Sequence, residues 1–118
     1  MRKYTLRKQI KNRGCFAEII YDLIVNENEG FCIDCRCSDW VVICNAAGAI
    51  FYDYFKRLRV GGVKIVVYEI NWYPIDTNNL IVLFACLQAF AEATDVFIDN
   101  LKIDTDLGMF CLPEARGI

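Results

Sequence analysis

A two-layer α+β sandwich in the order βββαβα is the fold class this sequence predicts, and three observations lead to it. Aromatic and β-branched residues crowd the first third of the chain in runs broken by short polar turns, as strands do. Two stretches with helical apolar spacing follow, near 40–59 and 79–93, with one β-branched run between them. The strands therefore gather towards the N-terminus and the helices are segregated, which favours a layered α+β arrangement over a doubly wound sheet. At 118 residues, 56% of them hydrophobic, the chain (1–118) has the length of one domain and enough apolar surface to offset the entropy of ordering it.

The first two strands are expected at 3–10 (KYTLRKQI) and 14–25 (GCFAEIIYDLIV), joined as a hairpin through Lys11, Asn12 and Arg13. The polar segment 26–30 ends in Gly30 and turns the chain into a third strand, FCIDCRC at 31–37. Ser38 and Asp39 can cap a helix within 40–59, whose apolar face would carry Cys44, Ala47, Phe51, Tyr54, Phe55 and Leu58. Lys56, Arg57 and Arg59 suit its carbonyl end, and Gly61-Gly62 would stop it. VKIVVYEI at 63–70 is the clearest strand, ended by the proline loop NWYPID. Asp76, Thr77 and Asn78 offer caps for a second helix over 79–93. That helix is apolar nearly all round (Leu80, Ile81, Val82, Leu83, Phe84, Leu87, Phe90), so it must be covered on more than one side, by the C-terminal segment or by a partner chain. The tail could add a strand at 96–103 and then an irregular end.

Composition excludes several functions. There is no histidine, which removes Ser-His-Asp and Cys-His mechanisms and every His-ligated zinc site. No phosphate-cradling G-x-x-x-x-G-K-[ST] is present, so no nucleotide is expected. Asp and Glu are dispersed, and a cysteine nucleophile would lack a base, so the chain is not expected to be an enzyme or to carry a cofactor. The longest apolar run, 80–91, is interrupted by Gln88 and too short to cross a bilayer; with no apolar segment after the basic N-terminus, a cytoplasmic protein without membrane contact is expected. Seven cysteines, an odd number, fit a reducing compartment. Cys32, Cys35, Cys37 and Cys44 are close in sequence, but alternation along a strand sends Cys32 to one face and Cys35 and Cys37 to the other, so no metal site is expected.

The net charge of −2 conceals a split. Residues 1–13 carry six basic groups (Arg2, Lys3, Arg7, Lys8, Lys11, Arg13) and no acid, while the remainder carries −8. Such a basic segment either meets phosphates or serves as a solvated edge strand whose cations discourage edge-to-edge pairing.

Several collinear motifs resemble domain IV of translation elongation factor G, over roughly residues 7–93. In that family a strand V-K-V-x-L-Y-D is followed by a loop, a V-D-S-S helix cap and a helix ending A-F-K-E-A; the matching residues here are Val63, Lys64, Tyr68, Glu69 for the acid, Ile75, Asp76, Thr77 for the serine, Ala85, Ala89, Phe90, Glu92 and Ala93. Lys8-Gln9, Arg13-Gly14 and Phe16 are similar to the family's K-Q-S-G-G-R-G-Q-Y hairpin, Gly30-Phe31 to the opening of its third strand, and Ala47, Gly48 and Ile50 to its first helix. The family's S-G-G is Ile10-Lys11-Asn12 here, and the histidine common in its second loop is Tyr73.

The resemblance implies the ribosomal protein S5 domain 2-like fold, a four-stranded sheet with two helices on one face. It also implies a non-enzymatic translation-factor-like module whose two tip loops contact the ribosome or RNA. Lys8, Lys11 and Arg13 would neutralise phosphates there, and Trp72 and Tyr73 would stack on an unpaired base. Two aromatics in a proline loop can equally anchor it against the sheet. The alternative function is a structural module that keeps the fold and homodimerises or binds a protein partner through the apolar second helix, with Ile81, Phe84 and Leu87 as interface residues, and through the C-terminal segment.

Overall fold

The computed structural model describes residues 1–113. Strands β1 (Arg2–Ile10) and β2 (Arg13–Asn26) pair antiparallel through a turn of only two residues. Lys11 and Asn12 take φ values of 47° and 67°, the left-handed pair that matches the twist of a tight hairpin. Arg13 is therefore not part of the turn; it opens β2 opposite Ile10.

Strand β3 (Gly30–Cys35) is shorter than expected. Cys37 lies beyond it, its carbonyl accepting the Trp40 N–H at 3.1 Å to form a 3-10 turn over Ser38–Trp40. Ser38 and Asp39 sit inside that turn, and helix α1 (Val41–Leu58) begins behind Trp40 without a side-chain cap. Cys44, Ala47, Phe51, Tyr54 and Phe55 face the core as expected, but Leu58, in the last turn, is 60% exposed. The helix stops three residues before Gly61. Arg59 is extended, donates its N–H to Phe55 O at 2.9 Å and its guanidinium to Thr94 O at 2.8 Å, and so ties the ends of the two helices together.

Strand β4 (Gly62–Asn71) then enters the middle of the sheet, giving the order β1-β2-β4-β3, antiparallel to β2 and parallel to β3. Gly62 is needed at that point: a Cβ there would collide with the carbonyl oxygens of Asn28 and Gly30. One face of the sheet, with Ala17, Ile19, Tyr21 and Leu23 on β2 and Val63, Ile65 and Val67 on β4, packs on both helices. This is the α+β two-layer arrangement with a four-stranded mixed sheet.

Helix α2 (Asn79–Thr94) is capped by Asn78, whose Oδ1 accepts the Ile81 N–H at 2.9 Å. Of its three cap candidates, Asp76 and Thr77 serve the preceding loop instead. The apolar circumference of α2 is covered from within the chain. One side meets the sheet, where Tyr21 OH donates to Ala89 O at 2.9 Å, another meets α1, and a third meets the tail, where the Phe84 and Phe110 rings are 4.9 Å apart. Ile81, Phe84 and Leu87 are only 5%, 4% and 0% exposed, so these three interface candidates belong to the core of the monomer. The tail does not form a strand over 96–103. Val96 and Ile98 are buried in an irregular segment, and the separate hairpin β5 (Lys102–Asp104) and β6 (Met109–Cys111) follows.

The principal extents are 45 × 27 × 24 Å. At ~3.3 Å per residue the strand β2 nearly spans the long dimension by itself, so the β1–β2 turn lies at one end of the molecule.

Truncating Leu87 to Ala should cost ~2–5 kcal/mol of folding stability, the range for a fully buried leucine in a core that cannot collapse around the loss. Urea unfolding of the monomer measures it; a change below ~1 kcal/mol would mean that this surface is not core.

Candidate nucleic-acid interface

Two loops meet at the end of the long axis: the β1–β2 turn and the segment between β4 and α2, residues 72–78. They are joined by main-chain hydrogen bonds. Phe16 N–H donates to Asp76 O at 2.9 Å, and the buried Thr77 hydroxyl donates to Phe16 O at 2.6 Å while accepting the Tyr73 N–H at 3.0 Å. Thr77 thus satisfies two backbone groups of different segments with one side chain, which fixes the second loop against the first. Gly14 belongs to the same junction; a Cβ there would lie 2.9 Å from Asp76 Oδ1.

The junction builds a stack on the solvent face of the sheet. The Phe16 and Tyr73 rings are 4.6 Å apart, and the Arg7 guanidinium, opposite Phe16 in the strand register, lies 4.9 Å from the Phe16 centroid. Tyr73 remains 50% exposed and Trp72 39% exposed. Trp72 meets the buried Trp40 at 84°, with centroids 5.4 Å apart. Each ring anchors the loop through one part and leaves the rest exposed to solvent. An open cleft of about 260 Å³ beside them is lined by Arg7, Lys8, Gln9, Phe16, Tyr73 and Asp76. It is smaller and more open than the ~300–1,000 Å³ pockets that enclose small molecules.

The expected cations divide between the two sides of the hairpin. Arg7 alternates with Leu6 and points to the solvent face, whereas Lys8 and Arg13 share the helix side with Ile10 and Cys15. Lys11 lies against Gly108 in the turn of the C-terminal hairpin, where a Cβ would approach its Cδ to 3.0 Å. Arg13 lines a second cleft, of about 180 Å³, with Ile10, Ile75, Met109 and Phe110. The ion pairs among the described residues use Met1, Arg36, Lys56 and Arg57; none of them involves Arg7, Lys8, Lys11 or Arg13. Arg2 and Lys3 are not at this end: they pair with Tyr21 and Ile20, far along β2. Only four of the six N-terminal cations therefore converge. Glu18, towards the middle of the solvent face, is held below the usual carboxylate range by hydrogen bonds from Thr5 and Asn71.

Arg7 and Phe16 were not among the expected contacts, and the hairpin register is what brings them together. Reading the turn as 11–13 sets Lys8 against Phe16; the two-residue turn sets Arg7 there.

Elsewhere, Cys35, Cys37, Cys44 and Cys86 lie near one another between β3 and the helices. Burial pushes the Cys35 thiol up to about 11 and that of Cys37 up to about 12; a hydrogen bond with Cys86, then burial, raises Cys44. These are protonated thiols acting as small apolar residues. Among the described residues no group of three Cys, Asp or Glu side chains has the arrangement to hold a metal ion, and no helix is long and apolar enough to cross a membrane.

No family model matches the sequence, and no curated protein does. Among solved structures, that of ttk003000868 from Thermus thermophilus shares the fold, with a TM-score of 0.58 and 18% identity over 77% of this chain. The match occupies 15% of the Thermus protein, so the present chain spans a small part of its neighbour's length.

Replacing Thr77 with Val removes the bridge at nearly constant shape and should destabilise the fold by ~1–3 kcal/mol, because Phe16 O and Tyr73 N–H lose their partner; urea unfolding reads the loss, and Trp72 fluorescence the loosened loop. The thiols predict an alkaline limit. In the unfolded chain Cys35 and Cys37 ionise near the ordinary value of 9.0, but in the folded protein only near 11 and 12. Their contribution is therefore intact below pH 9 and is lost as the pH rises towards 11–12. Stability measured from about pH 8 to about pH 11 should fall, and replacing Cys35 with Ala should flatten that fall.

Proposed function

We propose that this chain is a non-enzymatic RNA-contacting module of the translation-factor type, similar to domain IV of elongation factor G, working through the end where its two loops are joined. The observation that carries the reading is the Arg7–Phe16–Tyr73 stack, pinned by Thr77, with Trp72 next to Tyr73 in the chain and with Lys8, Lys11 and Arg13 forming no ion pair among the described residues. Half-exposed aromatics offer a face on which any unpaired base can stack, and cations on both sides of the hairpin suit a backbone that passes over its end. The Phe16–Asp76 main-chain hydrogen bond and the Thr77 hydroxyl bridge hold the 72–78 loop on β2, which pre-organises the site and reduces the ordering entropy that opposes binding. The small ribosomal subunit is the target that the resemblance to domain IV suggests. The sharing of the fold with a part of a much longer protein fits a module that serves as one arm of a larger assembly. The expected absence of enzymatic activity and of any nucleotide or other cofactor belongs to the same reading.

Fluorescence anisotropy with a single-stranded RNA, together with co-sedimentation with small ribosomal subunits, tests it. Affinity should fall steeply with salt. Lys11→Ala should lower the slope of log K against log salt by ~0.7, the value for one phosphate contact on a single strand. Tyr73→Ala should weaken binding roughly 5- to 150-fold, the ~1–3 kcal/mol of one stacked base. No RNA or subunit association at low salt, or binding indifferent to both substitutions, would refute the proposal.

A further inference from the structure

The two edges of the main sheet are protected differently. β1 is lined by Arg2, Lys3, Arg7 and Lys8, and a second β1 laid against it would set cation against cation. β3 carries no lysine, proline or bulge. In its parallel ladder with β4, Arg36 donates its N–H to Val67 O at 2.9 Å, so the backbone groups of Cys32 and Asp34 turn to β4 and those of Phe31, Ile33 and Cys35 turn outward. Among the described residues no hydrogen-bond partner meets these outward groups.

The layer above the middle of this edge carries no charge; Lys56, over the Tyr52 ring, stands towards the Phe31 end. α1 sits directly on β3: a Cβ at Gly48 would lie 2.7 Å from Phe31 Cζ and 3.0 Å from Ile33 Cδ1, and Tyr52 stacks on Phe31 at 5.1 Å. On the same side of α1 the exposed Asn45 and Ala49 are short and uncharged.

We infer that β3 and the Asn45–Ala49 stripe of α1 form a two-fold interface with a second copy of this chain, joining two four-stranded sheets edge to edge. The register follows from the backbone. With Ile33 opposite its own copy and Phe31 opposite Cys35, the N–H and C=O of all three outward residues find partners. On the solvent face this register sets Cys32 opposite Asp34 and Gly30 opposite Arg36, so no like charges meet. A slip of two residues one way would oppose Asp34 to Asp34, and the other way would leave Cys35 unpaired. The contact of Gly48 with Ile33 puts Ala49 beside the two-fold axis, where antiparallel α1 helices can approach closely. The self-repelling β1 edge cannot form the equivalent contact, which selects β3 and closes the assembly at two copies.

Light scattering behind size exclusion, over a concentration series, should show the mass rising from monomer to dimer. Ala49→Arg, at an exposed helix position, should weaken dimerisation at least tenfold without loss of helical signal. Asp34→Cys places a thiol opposite Cys32 of the second copy in a non-hydrogen-bonded pair, with Cα atoms ~4.5 Å apart, inside the range a disulfide bridges. Mild oxidation should give a covalent dimer on a non-reducing gel, abolished by adding Cys32→Ser. A monomer at every concentration overturns the inference and leaves the edge to a strand from another protein. A dimer that tolerates Ala49→Arg, or one that Asp34→Cys fails to cross-link, overturns it as well.

Discussion

Helix α2 is apolar around almost its whole circumference, and the architecture follows from the need to cover it. A helix lying on a sheet hides one face; a neighbouring helix hides a second. Here the inner face of the sheet takes one side of α2 and α1 another, through contacts such as Phe90 with Tyr21 and Phe51. The remaining side is closed by the tail, with Phe110 against Phe84 and Val96 and Ile98 buried near the end of the helix. The C-terminal hairpin is too short to be stable alone. It exists because α2 offers it an apolar bed, and α2 keeps its apolar surface from water because the hairpin lies there. A surface that could have been read as waiting for a partner is thus answered within the chain.

The same closure shapes the far end of the molecule. The turn of the C-terminal hairpin reaches Lys11, with Gly108 at φ 68° leaving room for the lysine stem. Asp104 accepts the N–H groups of Asp106 and Leu107 at 3.0 Å and so holds that turn in shape. The β1–β2 turn is therefore supported by the tail on the helix side and by the 72–78 loop on the other. Its support comes from three segments meeting at one place, the Lys11 stem against Gly108 among their contacts.

Much of the fold was legible in the sequence because hydrophobic period and turn chemistry agree. The order βββαβα, the β-branched run that became β4, and the helix over 79–94 all combine a clear period with a flanking cap or glycine. What was not legible was decided by tertiary contacts. Asn78 rather than Asp76 or Thr77 caps α2, because the Thr77 hydroxyl finds Phe16 O first. Leu58 has the right spacing for the core face of α1, but in the last turn of the helix it is left exposed. The short final strands carry too few residues for any periodicity. At the candidate site the residue types were readable and their partners were not. Whether Arg7 or Lys8 meets Phe16 depends on a single residue in the length of the turn, and Lys11-Asn12 lacks the glycine that usually marks a two-residue hairpin.

That single residue has an electrostatic consequence. With alternating faces, the register assigns Arg7 to the solvent side and leaves Lys8 and Arg13 on the helix side, so positive charge appears on both faces of the hairpin end rather than on one. A guanidinium can stack on an aromatic ring and still donate from its edge, whereas an ammonium in the same place would contribute only charge. Arg7 over Phe16 therefore extends the aromatic surface of Tyr73 with a cationic plane. A flat patch can receive a base and a charge can receive a phosphate, but only their fixed juxtaposition selects a strand whose bases are unpaired. Here the fixing is done by the Thr77 hydroxyl and by the Phe16–Asp76 main-chain hydrogen bond, neither of which depends on charge. On the proposed RNA-contacting reading, ionic strength would govern the affinity and the stack would govern the preference for unpaired strands.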